Sequence, residues 1–175
     1  MQGDMTAVRR VRREAQAQCG FTFVEALLVT AVIGVLLAIA IPAFLGAKGH
    51  AQDRSAQASL RIAITNAKAL YADSESFAKV TVATLGTAEP SLRFTSSPST
   101  GPNSVSVHSG AGGIALASKS KSGVCYVVGD AANAAGTVFR NLGSASCDPS
   151  SISSLPNTVP TDDRAVPGGD WAKAW

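Results

Sequence analysis

One long apolar run dominates the pattern of hydrophobic and polar positions along the chain. Between Ala26 and Ile41 the only polar side chain is Thr30, and further apolar residues extend the run from Phe21 to Leu45. A helix of about 20 apolar residues is long enough to cross the hydrocarbon core of a bilayer. The pattern therefore predicts one membrane-spanning helix over residues 21–45.

The helical pattern continues beyond this run. Residues 46–76 contain no proline and are rich in alanine. Their apolar side chains form one stripe at helical spacing, at Leu60, Ile64, Ala67 and Tyr71. Arg54, Arg61 and Lys68 recur every seven residues on another face, which we interpret as a solvated face, with contact to a neighbouring subunit as the alternative. One nearly continuous helix from Phe21 to Tyr71 would be roughly 75 Å long.

Beyond Ser76 the pattern changes to short runs typical of strands, separated by turn residues. The candidate strands are Ser91–Thr95, Ser104–His108, Gly113–Ser118, Val124–Val128 and Thr137–Asn141. The glycine cluster at 110–113 and the polar segment at 119–123 indicate turns between them. These elements predict an α+β fold in which the outer half of the long helix packs on a small antiparallel sheet of about four strands. Residues 148–175, with several prolines, are expected to form a loop-like tail.

The charged residues on either side of the apolar run predict the direction in which it crosses the membrane. Four basic residues precede it, at Arg9, Arg10, Arg12 and Arg13, whereas only Lys48 and Arg54 follow it closely. Positively charged flanks stay on the cytoplasmic side, so the leader is predicted inside and residues 46–175 outside. Glu25 lies within the run, where a carboxylate costs on the order of 3 kcal/mol and needs a partner. Glu25 is therefore the first candidate for a functional residue.

The segment around Glu25 resembles a known family. The run G-F-T-F-V-E at residues 20–25, the apolar helix after it, Gly34 and Pro42 are similar to the class III leader of type IV pilins and of the pseudopilins of type II secretion. The resemblance implies that a prepilin peptidase/methyltransferase cuts after Gly20 and N-methylates Phe21. It implies that Glu25 pairs with the new amine and sets the register of assembly. It also implies that Gly34 and Pro42 loosen the helix.

This resemblance predicts a domain organisation and a function. Residues 1–20 are the leader, 21–45 the transmembrane and polymerisation helix, 46–147 the globular head and 148–175 the tail. The predicted function is that of a structural subunit of a helical, homo-oligomeric filament, made as a precursor in the cytoplasmic membrane and carried to the cell surface by the pilus assembly machinery. The alternatives are a type II secretion pseudopilin, a minor pilin, or an anchored binding protein that does not polymerise.

The cysteines fit export. If Cys19 leaves with the leader, Cys125 and Cys147 remain as an even pair in an oxidising compartment, where disulfides persist. A bridge between them would contribute about 3 kcal/mol to stability. Two buried free thiols are the alternative. The spacing of the cysteines and histidines suggests no metal site.

Charge and motifs give no support for nucleic-acid binding or catalysis. The net charge of +3 falls to +1 without the leader, because the leader holds four basic and two acidic residues, and nucleic-acid binders cluster their basic residues on one face. The S-x-x-K match at Ser118–Lys121 overlaps the K-S-G at 121–123, whereas penicillin-recognising enzymes carry such motifs far apart. His50 and His108 have no signature partners for a triad. The chain is predicted not to be an enzyme and to need no cofactor.

Overall fold

The computed structural model describes residues 21–132, 136–151 and 155–175. The predicted leader, with Gly20 and the four arginines, lies outside these residues. The chain divides into two compact units, Met1–Pro42 and Ala43–Trp175, and one helix, α1, extends from the first unit into the second.

Helix α1 comprises Phe23–Ser74, 52 residues, close to the extent that the sequence predicts. Thr22 occupies the N-cap position, since its carbonyl oxygen accepts the first helical hydrogen bond from Ala26 N at 3.1 Å. The helix ends where Glu75 adopts a left-handed backbone conformation with φ 53°, and the Glu75 amide donates to the Tyr71 carbonyl oxygen at 2.6 Å. A residue in this conformation is a common helix terminator.

Short elements and a five-stranded sheet follow α1. A 3-10 turn at Phe77–Lys79 leads into helix α2, Val82–Ala88, and a second 3-10 turn lies at Pro149–Ser151. The strands are β1 (Arg93–Thr95), β2 (Ser104–Gly110), β3 (Gly113–Lys119), β4 (Cys125–Ala131) and β5 (Gly136–Gly143). They lie in the sheet in the order of the sequence. The α+β prediction and the turns at 110–113 and 119–123 are confirmed.

The sheet differs from the prediction in two respects. It has five strands rather than about four, and β1 pairs with β2 in parallel, with Phe94 opposite Val105, while the other pairs are antiparallel. Parallel neighbours usually need a crossover of a dozen or more residues. Here β1 has only three residues and spans about 10 Å. The loop at 96–103 is therefore long enough to bring the chain back to the end of the sheet at which β1 begins.

The two faces of the sheet are buried by different parts of the chain. One face packs with the buried stripe of α1, where Leu60, Ile64 and Ala67 are buried and Tyr71 is partly buried, as the helical spacing predicts. The sheet residues on this side are Val105, Val107, Ile114, Leu116, Tyr126 and Val128. The opposite face forms a second cluster, which contains Ala117, Cys125, Val127, Ala131, Val138, Cys147 and Trp171. Strands β3 and β4 are therefore buried on both sides.

The tail after residue 147 forms the cover of this second cluster. Phe139 and Ala172 exchange both backbone hydrogen bonds, at 2.9 and 2.8 Å, and the Gly168 amide donates to the Asn141 carbonyl oxygen at 2.8 Å. Trp171 is 7% exposed. The predicted loop-like tail thus has little regular structure but is anchored to β5, because the apolar second face of the sheet needs a cover.

Gly113 at the start of β3 should not tolerate a side chain. Its φ is +148°, and a Cβ would lie 2.4 Å from the Asp130 carbonyl oxygen. We expect Gly113→Ala to lower the free energy of unfolding by about 2 kcal/mol or more, because the backbone of β4 would have to move. Urea unfolding of the full chain in detergent, followed by tryptophan fluorescence, measures this. The matched control is Gly112→Ala, where a Cβ meets nothing within 4 Å; equal stability of the two variants would contradict the prediction.

Candidate functional site

The apolar run is fully exposed along the first unit. Phe21, Phe23 and Phe44 are 70%, 78% and 68% exposed, and every residue from 21 to 45 is in the exposed class. Among the described residues, α1 is the helix whose length and apolar composition are sufficient to cross a membrane. An apolar surface of this size needs lipid or other protein around it.

Glu25 lies in the first turn of α1, beside the N-cap. The Glu25 backbone amide donates to Thr22 Oγ1 at 3.2 Å. Thr22 and Glu25 have the T-x-x-E spacing of a capping box. In that motif the threonine hydroxyl accepts a hydrogen bond from the backbone amide three residues later, and the side chain of the acid accepts one from the threonine backbone amide. A carboxylate in the first turn also interacts favourably with the helix dipole. Sequence reasoning missed the capping of the Glu25 amide by Thr22, although the T-F-V-E spacing indicates it.

Gly34 and Pro42 both lie inside α1, which continues through them. A Cβ at Gly34 would meet nothing within 4 Å, so packing within the chain does not require glycine there. Pro42 removes one backbone hydrogen bond from the helix interior. Loosening of the helix between these two residues remains a prediction.

The basic face of α1 is exposed at Arg54, Arg61 and Lys68, as its interpretation as a solvated face predicts, and two of these residues also contact the chain's own sheet and tail. Lys68 Nζ lies 2.9 Å from Asp130 Oδ2 of β4 and donates a hydrogen bond to Thr137. The Arg61 guanidinium lies over the Trp175 ring, 5.7 Å from its centroid. The partners come from the sheet and the tail, far away in the sequence. These contacts hold α1 against the rest of the second unit.

Arg54, the third basic residue, lines a polar cavity of about 220 Å³ together with His50, Asp53, Arg164 and Trp175. Tyr126 forms part of its lining, and burial followed by the negative charge of Asp53 raises the pKa of Tyr126 to about 12. The hydroxyl therefore stays protonated across the physiological pH range. Asp53 is engaged by the chain itself, because Ser122 Oγ donates to its carboxylate at 2.5 Å.

Cys125 and Cys147, which are 22 positions apart in the sequence, form a disulfide with Cα atoms 5.3 Å apart. This confirms the predicted pairing and rules out the alternative of free thiols. Both cysteines are buried in the second cluster, where the bridge joins the start of β4 to the segment that leads into the tail. In the described part of the chain, no group of three or more His, Cys, Asp or Glu side chains could hold a metal ion.

Comparison with known proteins identifies the N-terminal segment. Residues 16–41 match the family model described as the prokaryotic N-terminal methylation motif. A stretch of 68 residues is 43% identical to the Type IV major pilin protein PilA of Myxococcus xanthus (strain DK1622). Over part of its length the chain is therefore similar to a type IV pilin. The 68 residues are 39% of this chain and 28% of that protein, so the chain spans less than a third of the curated relative's length. No solved structure matches this chain.

The matched methylation motif includes most of the site residues that the sequence predicts. Phe21, Glu25 and Gly34 lie inside the matched segment, and Pro42 follows it directly. Gly20 is also inside the match but outside the described residues. The cysteines and the basic face of α1 lie beyond the motif, so their contacts are seen in the structure alone.

Proposed function

We propose that this chain is the structural subunit of a type IV pilus-like filament, cleaved after Gly20, N-methylated at Phe21 and polymerised through its N-terminal helix. The observation that carries the proposal is the fully exposed apolar helix with Glu25 in its first turn. Such a helix is stable in two surroundings, the bilayer before assembly and the packed core of a filament after it. The helix would pass from the first of these surroundings to the second as the subunit assembles.

Glu25 has a chemical reason to act in assembly. Cleavage after Gly20 would create an amine on Phe21, one helical turn before the carboxylate. An ion pair between Glu25 of one subunit and the Phe21 amine of a neighbour would remove much of the cost of burying each charge among apolar helices. A buried charged pair also discriminates between alternative registers, because an unpaired charge in apolar surroundings is expensive.

The domain organisation follows the same proposal. Residues 21–45 anchor the precursor with the leader in the cytoplasm, residues 46–147 form the head outside, and residues 148–175 complete the head by covering its second sheet face. The disulfide supports exposure of the head to an oxidising compartment. The partners would be further copies of the chain, the prepilin peptidase/methyltransferase and the assembly machinery.

The processing step gives the most direct test. In protein sheared from the cell surface, peptide mapping should find an N-terminal peptide that begins at Phe21 and carries one extra methyl group. Gly20→Ala should stop cleavage, because a side chain would then occupy the position next to the cut, and the full-length precursor should accumulate in the membrane. Gly34→Ala is the matched control and should be processed normally, since a Cβ there meets nothing within 4 Å.

Other outcomes would favour the alternatives. A full-length chain confined to the membrane in the wild type would support an anchored binding protein. A processed chain that is absent from long surface filaments would support a type II secretion pseudopilin or a minor pilin. Normal processing of Gly20→Ala would contradict the cleavage site itself.

A further inference from the structure

A basic groove lies beside the beginning of the second unit's part of α1. It consists of two adjoining cavities of about 320 and 280 Å³ that share Pro102, Asn103 and Lys121. Residues of α1 from Lys48 to Ser55 line the first cavity, and Arg93 at the start of β1 lines the second. The basic groove thus separates the helix surface from two loops of the sheet.

The charges in the basic groove are of one sign. Lys48, Arg93 and Lys121 are all exposed, and neither cavity has an Asp or Glu in its lining. Within the described residues the ion pairs join Lys68 to Asp130 and Lys173 to Asp163, so the three cations of the groove are free to bind a ligand. Amide and hydroxyl groups from Gln52, Ser55 and Asn103 add neutral hydrogen-bond donors. Cations with neutral donors and without a carboxylate are suited to a phosphate group.

The position of the basic groove along α1 identifies the source of that phosphate. The apolar residues from Ala26 to Leu45 span about 30 Å as a helix, which is the thickness of the hydrocarbon core. Lys48 and Gln52 follow Leu45 by three and seven residues in the same helix, about 5 and 10 Å further along its axis. The headgroup layer on each side of the core is roughly 5–8 Å thick. In an anchored chain Lys48 would therefore lie at the depth of the lipid phosphates and Gln52 just outside the headgroup layer.

We propose that the basic groove binds the phosphate of an anionic phospholipid headgroup while the subunit is anchored in the membrane. The inference depends on the membrane-anchored stage of the proposed function and adds a binding site to it. Basic residues close to a membrane surface attract anionic lipids, by about fivefold in affinity for each Lys or Arg. A lipid held in the groove would fix the depth of α1 in the bilayer by contacting Lys48. The same phosphate would link α1 to the sheet by contacting Lys121 and Arg93.

Lipid selectivity of the full chain tests the proposal. The chain is reconstituted in phosphatidylcholine bilayers, and electron spin resonance compares the association of spin-labelled phosphatidylglycerol with that of spin-labelled phosphatidylcholine. We expect a preference of about 25-fold or more for phosphatidylglycerol in the wild type, from two or three contacts of about fivefold each. Lys48→Gln with Lys121→Gln should remove most of it. The double variant Lys79→Gln/Lys173→Gln removes the same amount of charge outside the groove and should keep the preference for phosphatidylglycerol.

The outcomes separate this inference from the proposed function. Restricted lipid without a preference for phosphatidylglycerol would overturn the headgroup site and leave anchoring intact, whereas no restricted lipid would mean that the chain is not anchored at all. Equal losses in the two double variants would overturn the groove in favour of net charge. Loss of the preference with about 1 mM inorganic phosphate, but not with equal ionic strength of chloride, would make the groove a site for free phosphate and also overturn the lipid assignment.

Discussion

Glu25→Gln is expected to abolish surface filaments while the protein still enters the membrane and is still cleaved. Glutamine has nearly the same shape and keeps the observed capping contact, because that contact is made by the backbone amide of residue 25, but it carries no charge. If Glu25 pairs with the Phe21 amine of a neighbour, the variant leaves that amine buried and unpaired. Breaking a buried ion pair costs about 3–5 kcal/mol, which weakens each subunit contact by about a hundredfold or more.

Two controls separate charge from capping and from general loss of an acid. Thr22→Ala removes the hydroxyl that accepts from the Glu25 amide and keeps the charge, so it should reduce helix stability by about 1 kcal/mol and preserve filaments. Asp73→Asn removes an exposed carboxylate near the end of the same helix and should have no effect. Electron microscopy and the amount of sheared protein measure the result. Normal filaments in Glu25→Gln would show that assembly does not need the charge of Glu25.

Removal of the disulfide is the second change with a large expected effect. The double variant Cys125→Ala/Cys147→Ala should lower the free energy of unfolding by about 3 kcal/mol, the value for opening a loop of this length in the chain-entropy model. Alanine avoids placing a hydroxyl in the buried second cluster. The bridge ties the strand at the centre of that cluster to the segment that leads into the tail, so Trp171 should become more accessible as well.

Urea unfolding with and without reductant checks this prediction in the full chain. Reductant should destabilise the wild type to about the level of the double variant and should leave the double variant unchanged. Fluorescence quenching by iodide reports on the exposure of the two tryptophans, Trp171 and Trp175. A double variant as stable as the oxidised wild type would mean that packing of the tail, and not the bridge, holds the second face of the sheet closed.

The parts of the structure that depend on neighbours along the chain are readable in the sequence. The length of α1, the buried stripe at Leu60, Ile64 and Ala67, and the positions of all five strands follow from local spacing and turn residues. The methylation motif is equally local, because its residues lie within one segment of a few helical turns. Thr22 could have been included with it, since a capping box is a four-residue pattern.

Contacts between distant parts of the chain were decided by the tertiary structure. The seven-residue spacing of Arg61 and Lys68 indicates one helix face, but their contacts with Trp175 and Asp130 depend on how the tail and β4 pack. In the same way, the sequence predicts a tail at 148–175 without predicting that it covers the sheet. The basic groove combines Lys48, Arg93 and Lys121 from three separate elements. The sequence by itself determined the apolar helix and the position of Glu25 in it, because periodicity and charge act within a few residues. Only the fold determined which charges became paired and which remained free.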